Sequence, residues 1–265
     1  MSDIEKLVTI MARLRDPENG CPWDKEQTFE TIVPHTLEEA YEVAETIETG
    51  DLEALRHELG DLLFQVIFYS RLAEERGLFD FQAVVASIVD KLIRRHPHVF
   101  GDARIADAEA QTRAWEALKA QERAKSSGQA GTLEGVTKTL PALTRASKLQ
   151  KRAARVGFDW SEAMPIFDKI QEELEEVRQE ITDSVDQQRL EEEIGDLLFA
   201  CTNLARHLQV DPEGALRGAN AKFEKRFAHM EALAASQSQP LDKLTAAAWE
   251  DLWQAAKSAE HKQSR

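Results

Sequence analysis

The sequence predicts an all-α protein, and three observations support this fold class. Alanine, leucine, glutamate, arginine and glutamine are abundant, and these residue types dominate well-formed helices. Tyrosine, glycine and proline are sparse among the 265 residues, so few segments resemble strands. Several unusual strings also recur in the same order in both halves of the chain. We therefore expect two tandem helical bundles joined by a flexible linker.

The repeated strings follow one plan in each half. The first half contains, in order, GCPW (20–23), LEEAYEV (37–43), HELGDLLF (57–64), KLIRR (91–95) and WEALK (115–119). The second half contains GFDW (157–160), QEELEEV (171–177), EEIGDLLF (192–199), KFEKR (222–226) and WQAAK (253–257). Apolar residues recur at helical spacing within them, which predicts helices.

A segment of different composition separates the two copies. Residues 124–141, AKSSGQAGTLEGVTKTLP, are rich in glycine, serine and threonine, which is typical of a flexible connection. The sequence thus predicts an N-terminal domain over residues 1–123, a linker over 124–136 and a C-terminal domain over 137–265.

The charge and the cysteines exclude several classes of protein. Acidic residues outnumber basic ones 48 to 33, a net charge of -15, which opposes general binding to nucleic acid or to anionic membranes. The most apolar run is far shorter than the roughly 20 residues that a membrane span needs, and the amphipathic start does not resemble a signal peptide. Cys21 and Cys201 lack metal-ligand spacing. We expect a soluble, cytoplasmic protein with free thiols.

A glycine lies between two acidic residues in the middle of one predicted helix of each copy. Gly60 and Gly195 each cost roughly 1 kcal/mol relative to alanine. Two bundles that shared only their core periodicity would not need them. We expect a neighbouring helix or a ligand to approach closely at these positions.

Four carboxylates in each copy are spaced to converge. Residues three apart on a helix differ by about 60° around its axis, so each pair projects from one side. The pairs are Glu39 with Glu42 and Glu58 with Asp61 in the first copy, and Glu173 with Glu176 and Glu193 with Asp196 in the second. If the two helices lie antiparallel with these faces opposed, the four carboxylates need cations to offset their repulsion.

Oxygen ligands of this kind favour magnesium, manganese or calcium over zinc. Magnesium is expected because of its usual partnership with phosphates, with manganese as a substitute. A di-iron bundle would place histidine where the sequence has Asp61 or Asp196, which argues against it. A solvated helix face and a purely structural metal site are further alternatives. The duplication of the motif argues against a solvated helix face. Nearby basic residues argue against a purely structural metal site.

The basic residues also recur in both copies. Lys91 with Arg95, and Lys222 with Arg226, are four residues apart and share a helix face. Their position after each carboxylate cluster predicts phosphate ligands, although each alone resembles an ordinary surface residue.

The tryptophans allow two interpretations. Trp115 and Trp253 either lie in the core or offer a stacking surface to a nucleobase. A core position is the better expectation for Trp23 and Trp160.

Taken together, these motifs resemble those of the tandem-domain MazG proteins, which belong to the all-α nucleoside triphosphate pyrophosphohydrolases. The family pattern EExxE followed by ExxD occurs at 38–42 with 58–61 and at 172–176 with 193–196, accompanied by GCPWD and by RRHPHVF (94–100). The resemblance covers nearly the whole chain. It implies magnesium-dependent hydrolysis of NTPs and dNTPs to the monophosphate and pyrophosphate by a homodimer.

The resemblance also implies roles for individual residues. The metal ligands would be Glu173, Glu176, Glu193 and Asp196, with a second set formed by Glu39, Glu42, Glu58 and Asp61. Glu172 would orient or deprotonate the attacking water. From the residues themselves, we predict that Lys222 and Arg226 contribute to catalysis and that substrate binding involves Lys169, Arg189, Lys222, Arg226 and Trp253.

The residues one turn upstream distinguish the two copies. Lys169 precedes Glu173 by four residues where the first copy has His35, and Arg189 precedes Glu193 where it has Ala54. Both cations can share a face with the acids and reach a triphosphate. We therefore predict that the C-terminal domain is the main catalyst and the N-terminal copy weak or inactive. The alternative is that both cations form exposed ion pairs within their helices.

The same motifs are also compatible with other functions. A narrower pyrophosphatase, such as a dimeric dUTPase or a phosphoribosyl-ATP hydrolase, would share the chemistry. A regulatory module could bind magnesium and nucleotide without hydrolysis. The sequence indicates neither base nor sugar preference.

Overall fold

The computed structural model describes residues 2–104, 107, 111, 131–183 and 186–263, with the backbone alone at 183 and 261–263. These residues form helices and no strand, so the predicted all-α class is confirmed. The chain divides into two compact units, Met1–Ser126 and Ser127–Arg265. The predicted linker spans this division, and its first seven residues lie outside the described part of the chain.

The first unit contains six described helices. They are α1 (Asp3–Leu14), α2 (Pro22–Glu26), α3 (Phe29–Thr49), α4 (Leu52–Glu75), α5 (Phe81–Arg95) and α6 (Pro97–Phe100). A two-residue turn joins α3 to α4. Gly50 ends α3 with φ of 76°, a left-handed conformation that glycine adopts without strain. Asp51 then accepts a hydrogen bond from the Ala54 amide and caps α4. This short connection places the EExxE helix antiparallel to the ExxD helix.

The core of the first unit lies where α1, α3 and α4 meet. Its buried side chains are Met11, Ile32, Ile67, Phe68 and Leu72. Phe68 is the largest of them, and its ring packs edge-on against Phe64 with the ring centroids 6.0 Å apart. An aromatic residue thus fills the space beneath α1.

The described part of the second unit also consists of helices. They are α7 (Ala142–Ala154), α8 (Met164–Asp183), α9 (Gln187–His207), α10 (Pro212–Ser236), a 3₁₀ helix (Leu241–Lys243) and α11 (Ala246–Gln263). The helices α7 and α8 both pack against α9, and α10 packs against α11. Asp186 accepts a hydrogen bond from the Gln188 amide and caps α9.

The contiguous core of the second unit lies between α10 and α11. It contains Met230, Ala234, Leu252 and Ala256, with partly buried aromatic rings around them. Asn203 occupies the position on α9 that matches Phe68 on α4 when HELGDLLF is aligned with EEIGDLLF. The two units therefore bury an aromatic ring in one copy and an amide in the other at the same position of the repeat.

The mid-helix glycines do not mark close helix packing. A Cβ added at Gly60 or Gly195 would meet no atom of the described residues within 4 Å. The expected approach of a neighbouring helix of the same chain is therefore wrong at both positions. Close approach of a ligand or of a second molecule is the remaining explanation for the two glycines.

No described helix is both long enough and apolar enough to cross a bilayer.

Candidate metal centre

Three carboxylates converge in the second unit. Glu173 lies on α8, and Glu193 and Asp196 lie one turn apart on the adjacent α9. One carboxylate oxygen from each lies within 4.8 Å of the others. Glu173 is only 5% exposed, whereas Asp196 is exposed. The cluster therefore opens toward solvent on the Asp196 side.

This arrangement fits a hard divalent cation. Magnesium and calcium bind oxygen ligands at about 2.0–2.6 Å, so ligands on opposite sides of one ion lie about 4–5 Å apart. The separations in the cluster fall at or below this limit. The set contains carboxylates alone, which favours magnesium, manganese or calcium over zinc.

Glu176 borders this cluster. Loss of hydration raises the pKa of the Glu176 carboxyl, and the negative charges of Glu173 and Glu193 raise the pKa further. It lies outside the group of three oxygens that approach within 4.8 Å. Its electrostatic coupling to that group is consistent with the predicted role as a fourth ligand.

Lys169 pairs directly with the acids of its own helix. Its Nζ lies 2.7 Å from Glu172 Oε1 and 2.8 Å from Glu173 Oε1. Hydrogen bonds to Glu172 and then Glu173 raise the pKa of the Lys169 ammonium. The intrahelical ion pair is therefore present, and it places a fixed positive charge at the edge of the cluster.

Arg189 forms an ion pair between two helices. Its guanidinium lies 3.2 Å from Glu180 Oε1 on α8, and its side chain is mostly exposed. The alternative interpretation of Arg189, an ion pair within its own helix, is therefore not what forms, since this pair joins the adjacent ends of α8 and α9.

Lys222, Arg226 and Trp253 lie on the pair α10 and α11. Arg226 donates to Glu260 Oε2 at 2.8 Å and lies over the Trp253 ring, 5.3 Å from its centroid. Lys222 is exposed. The structure thus joins Arg226 and Trp253 to each other on helices other than those that carry the carboxylates.

The first unit repeats the carboxylate cluster. Glu39, Glu58 and Asp61 each place one oxygen within 4.8 Å of the others. Loss of hydration and then the charges of Glu58 and Glu39 raise the pKa of Glu42. His35, in the place of Lys169, lies 3.7 Å from the exposed Glu38 and packs edge-on against Trp23.

One buried amide distinguishes the first cluster from the second. Gln65 Nε2 lies 3.4 Å from Glu39 Oε1, and Gln65 is 6% exposed. The matching residue in the second unit is Ala200. An N–H donor therefore competes for a candidate ligand oxygen in the first unit, whereas alanine offers no such donor.

Comparison with known proteins supports the duplication. The family model of the MazG nucleotide pyrophosphohydrolase domain matches residues 27–100 and again residues 165–230. The two matches contain both carboxylate clusters and together span more than half of the chain. The chain belongs to the MazG family.

Relatives of this chain carry names that agree with this family. A nucleoside triphosphate pyrophosphohydrolase of Escherichia coli K12 is 52% identical over 98% of this chain and 99% of its own length. The nucleoside triphosphate pyrophosphohydrolase/pyrophosphatase MazG of Thermotoga maritima is 42% identical over 97% of this chain and 96% of its own. A longer relative, a nucleoside triphosphate pyrophosphohydrolase of Mycobacterium tuberculosis, is 31% identical over 80% of this chain and 66% of its own length.

Two tryptophans of this MazG-family chain do not follow the expectation. Trp23 and Trp160, expected in the core, are 51% and 39% exposed. Trp253 is half-buried against the core of α10 and α11, with its ring centroid 5.9 Å from that of Phe223. Trp253 thus packs against the core, which is one of the two interpretations that the sequence allows for it. Trp115 lies outside the described residues.

Sequence reasoning missed the amide side chains of this MazG-family chain. Gln65 borders the first cluster, and Gln150 and Asn203 line a cavity beside α9 in the second unit. The available signal was the mismatch of Gln65 with Ala200 and of Phe68 with Asn203 along the aligned ExxD helices.

Proposed function

We propose that this chain is a magnesium-dependent nucleoside triphosphate pyrophosphohydrolase that releases the monophosphate and pyrophosphate. The observation that carries the proposal is the convergence of Glu173, Glu193 and Asp196 in a MazG domain. An acidic cluster binds a triphosphate only through cations, since the two anions otherwise repel each other.

The carboxylates of the second unit would hold the metal. Glu173, Glu193 and Asp196 would supply ligand oxygens, with Glu176 as the fourth. Magnesium bound there would neutralise phosphate charge and help to activate water; manganese would serve as a substitute.

Other side chains would act on the substrate. Glu172 is exposed and is held by Lys169 at 2.7 Å, so it would accept a proton from, or orient, the attacking water. Lys169, Lys222 and Arg226 would compensate phosphate charge. Arg189 would reach a phosphate only by leaving Glu180.

Two contacts support the C-terminal unit as the main catalyst. Lys169 fixes a positive charge beside Glu173, whereas His35 in the first unit contacts an exposed glutamate. Gln65 also places an N–H donor at Glu39, and Ala200 leaves Glu173 without that competitor. The first unit would bind metal more weakly.

A homodimer and a cytoplasmic location complete the proposal. Ile194 and Leu198 on α9, and Leu216 and Phe223 on α10, are exposed apolar residues in the single chain, and a second copy would cover them. Cys21 and Cys201 are free thiols, which suits a reducing compartment. Sedimentation at micromolar concentration tests the dimer.

The decisive experiment compares matched variants of the two clusters. Glu176→Gln should reduce pyrophosphate release from NTPs by about 100-fold or more, because it removes a metal ligand. Glu42→Gln should leave most of the activity under the same magnesium concentration. Activity that survives in Glu176→Gln and disappears in Glu42→Gln would reverse the assignment of the catalytic unit.

Two further measurements define the reaction. A panel of NTPs and dNTPs separates broad activity from a dUTPase-like preference. Saturable nucleotide binding without any monophosphate product would contradict hydrolysis and indicate a regulatory module. Hydrolysis in oxygen-18 water identifies the attacked phosphorus by the product that carries the label.

A further inference from the structure

A cavity lies in the first unit, where α1, α4 and the first turn of α5 meet. Its volume is about 280 Å³, near the lower end of the range for small-molecule sites. Glu74 lines the cavity and follows Asp61 of the first carboxylate cluster by thirteen residues on α4. This spacing corresponds to about 20 Å along the helix axis. The cavity is therefore separate from the candidate metal centre of the same unit.

The inner part of the cavity has apolar walls. Val8 lines it from α1 and Phe81 from α5, and both side chains are half-buried. Ile4, which is 38% exposed, continues this apolar surface outward along α1. Hydrocarbon that leaves water for such a surface gains about 25 cal/mol per Å². The inner part of the cavity thus favours an apolar group.

The mouth of the cavity carries mainly negative charge. The exposed carboxylates of Glu5, Glu74 and Asp80 line it, together with the guanidinium of Arg71. Arg71 already pairs with Glu74 at 3.0 Å and with Glu75 at 2.9 Å. Three carboxylates against one guanidinium create a negative potential at the mouth, which attracts cations and repels anions.

The spacing of these carboxylates does not suit a metal ion. Among the described residues, the groups of three acidic side chains whose oxygens converge within 4.8 Å are the two carboxylate clusters, and Glu5, Glu74 and Asp80 form no such group. A divalent ion needs oxygen ligands at about 2.0–2.6 Å. An organic ammonium is larger, and its N–H groups donate to separate acceptors. The mouth therefore fits an organic cation better than a metal.

Asp80 has acceptor capacity beyond its structural role. Its Oδ1 accepts a hydrogen bond from the Ala83 amide at 2.8 Å and caps α5. A carboxylate offers about four acceptor positions, so this cap uses only part of its capacity. Asparagine caps helices about as well as aspartate. The negative charge of Asp80 can thus be removed while the cap is kept.

The second unit joins the corresponding helices directly. Asp211 caps α10 as Asp80 caps α5. Glu213 and Gln82 each follow their cap by two residues. Glu213 Oε2 accepts hydrogen bonds from the amide and the hydroxyl of Thr144 on α7, each at 3.3 Å. Gln82 instead lines the open cavity. The first unit therefore has a solvent-accessible space where the second unit has a bridge between helices.

We propose that the cavity of the first unit binds a small organic cation. Its hydrocarbon part would lie against Val8 and Phe81, and its ammonium group would donate charge-assisted hydrogen bonds to Glu74 and Asp80. An apolar interior behind a negative mouth selects a molecule with a hydrocarbon end and a positive end. The site gives the first unit a binding function that does not depend on the hydrolysis of nucleoside triphosphates.

The test uses hexylammonium as the probe. Isothermal titration calorimetry of the full chain, with magnesium in excess to occupy the carboxylate clusters, should show saturable binding. Hexanol, which has the same hydrocarbon without the charge, should bind at least about tenfold more weakly, and hexanoate should bind more weakly still. Equal affinities for hexylammonium and hexanol, or tighter binding of hexanoate, would overturn the proposal.

A matched pair of cap variants tests the charge. Asp80→Asn should weaken hexylammonium binding by about fivefold or more and leave hexanol binding nearly unchanged. Asp51→Asn makes the same change at the cap of α4, outside the cavity lining, and should leave both affinities unchanged. An unaltered affinity in Asp80→Asn, or an equal loss in Asp51→Asn, would contradict the role of the Asp80 carboxylate.

A second pair of variants tests the cavity. Val8→Phe should fill the apolar part and abolish the binding of both hexylammonium and hexanol. Ile10→Phe is the control, because Ile10 is 50% exposed on the same helix and does not line the cavity. Binding that survives unchanged in Val8→Phe would place the cation elsewhere and overturn the proposal.

Differential scanning calorimetry gives a readout that is independent of hydrolysis. Hexylammonium should raise the melting temperature of the first unit, because a ligand that binds only the folded state stabilises it. The increase should be smaller in Asp80→Asn and absent in Val8→Phe. A protein that binds hexylammonium but releases no pyrophosphate from NTPs would refute the proposed function alone. Release of pyrophosphate without any binding of hexylammonium would refute the cation site alone.

Discussion

Lys169 and Glu173 form an ion pair of 2.8 Å at the edge of the second carboxylate cluster. The Glu173 side chain is 7% exposed, whereas that of Lys169 is 35% exposed. The lysine therefore compensates a buried negative charge from a partly hydrated position. Because the same carboxylate is a candidate metal ligand, metal and lysine share the task of neutralising it.

This relationship makes the effect of Lys169→Met depend on metal. Without divalent cations the variant should lose about 1 kcal/mol of stability, a value reduced for the exposure of the lysine. Magnesium should restore more stability in the variant than in the wild-type protein. Thermal denaturation with EDTA and with magnesium measures both effects. His35→Met is the control. An equal loss of stability in Lys169→Met with EDTA and with magnesium would contradict the idea that metal and lysine both neutralise Glu173.

Asp159→Asn should show a pH-dependent loss of stability. Burial alone would raise the pKa of the Asp159 carboxyl, but hydrogen bonds and charges from Arg206 and His207 outweigh it and lower the pKa. The stabilisation is therefore complete above the ordinary aspartate pKa and disappears as the pH falls through the lowered value.

Urea unfolding measures this dependence. At pH 7 we expect Asp159→Asn to be less stable than the wild-type protein by about 1–2 kcal/mol. The difference should shrink once the pH falls below about 4. A difference that stays constant down to pH 3 would show that the carboxylate charge is not the cause.

The Arg226 guanidinium has two candidate roles, binding of phosphate and support of the fold through Glu260. The variants Arg226→Ala and Glu260→Gln distinguish them. Arg226 donates to Glu260 and lies over Trp253. If Arg226 binds phosphate, Arg226→Ala should lower kcat/KM by roughly 10-fold or more, and Glu260→Gln should change it far less. Steady-state kinetics of both variants provide the comparison. Equal losses would indicate that the ion pair supports the fold of α10 and α11 rather than the substrate.

Arg15→Met should destabilise the first unit. Arg15 pairs with Glu75 at 2.8 Å, its side chain is 7% exposed, and it also donates to the Asp24 carbonyl. Loss of this buried partner should cost about 3 kcal/mol. Arg56→Met is the matched control, because the Arg56 pair with Glu53 is exposed and should contribute less than about 1 kcal/mol.

Differential scanning calorimetry distinguishes these two variants. Arg15→Met should lower the melting temperature of the first unit while pyrophosphate release at 25 °C is retained, because the proposed catalyst is the second unit. A loss of activity that parallels the loss of stability would instead indicate that the first unit is needed for catalysis.

Much of the fold could be predicted because helix formation leaves a local signal. The spacing of Glu39 with Glu42 and of Glu58 with Asp61 indicates one helix face each, and α3 and α4 confirm both helices. The turn at Gly50 and Asp51 makes these helices antiparallel. The resemblance to MazG proteins is confirmed by the family match.

The surroundings of single side chains could not be predicted in this way. Residue spacing suggested an ion pair within one helix as the alternative role of Arg189, yet Arg189 pairs with Glu180 of α8. Trp160 was expected in the core, yet it borders an open cavity. In both cases the partner comes from another element, and residue spacing along one helix carries no information about it.

The sequence by itself determined the helices, their duplication and the carboxylates that each copy presents, because helical periodicity is a property of neighbouring residues. Only the tertiary structure decided which polar atoms lack partners. Gln150 and Phe199 are 49 positions apart, and their contact exists because α7 packs against α9. That packing buries both Gln150 and Asn203, which the sequence alone shows only as ordinary polar residues.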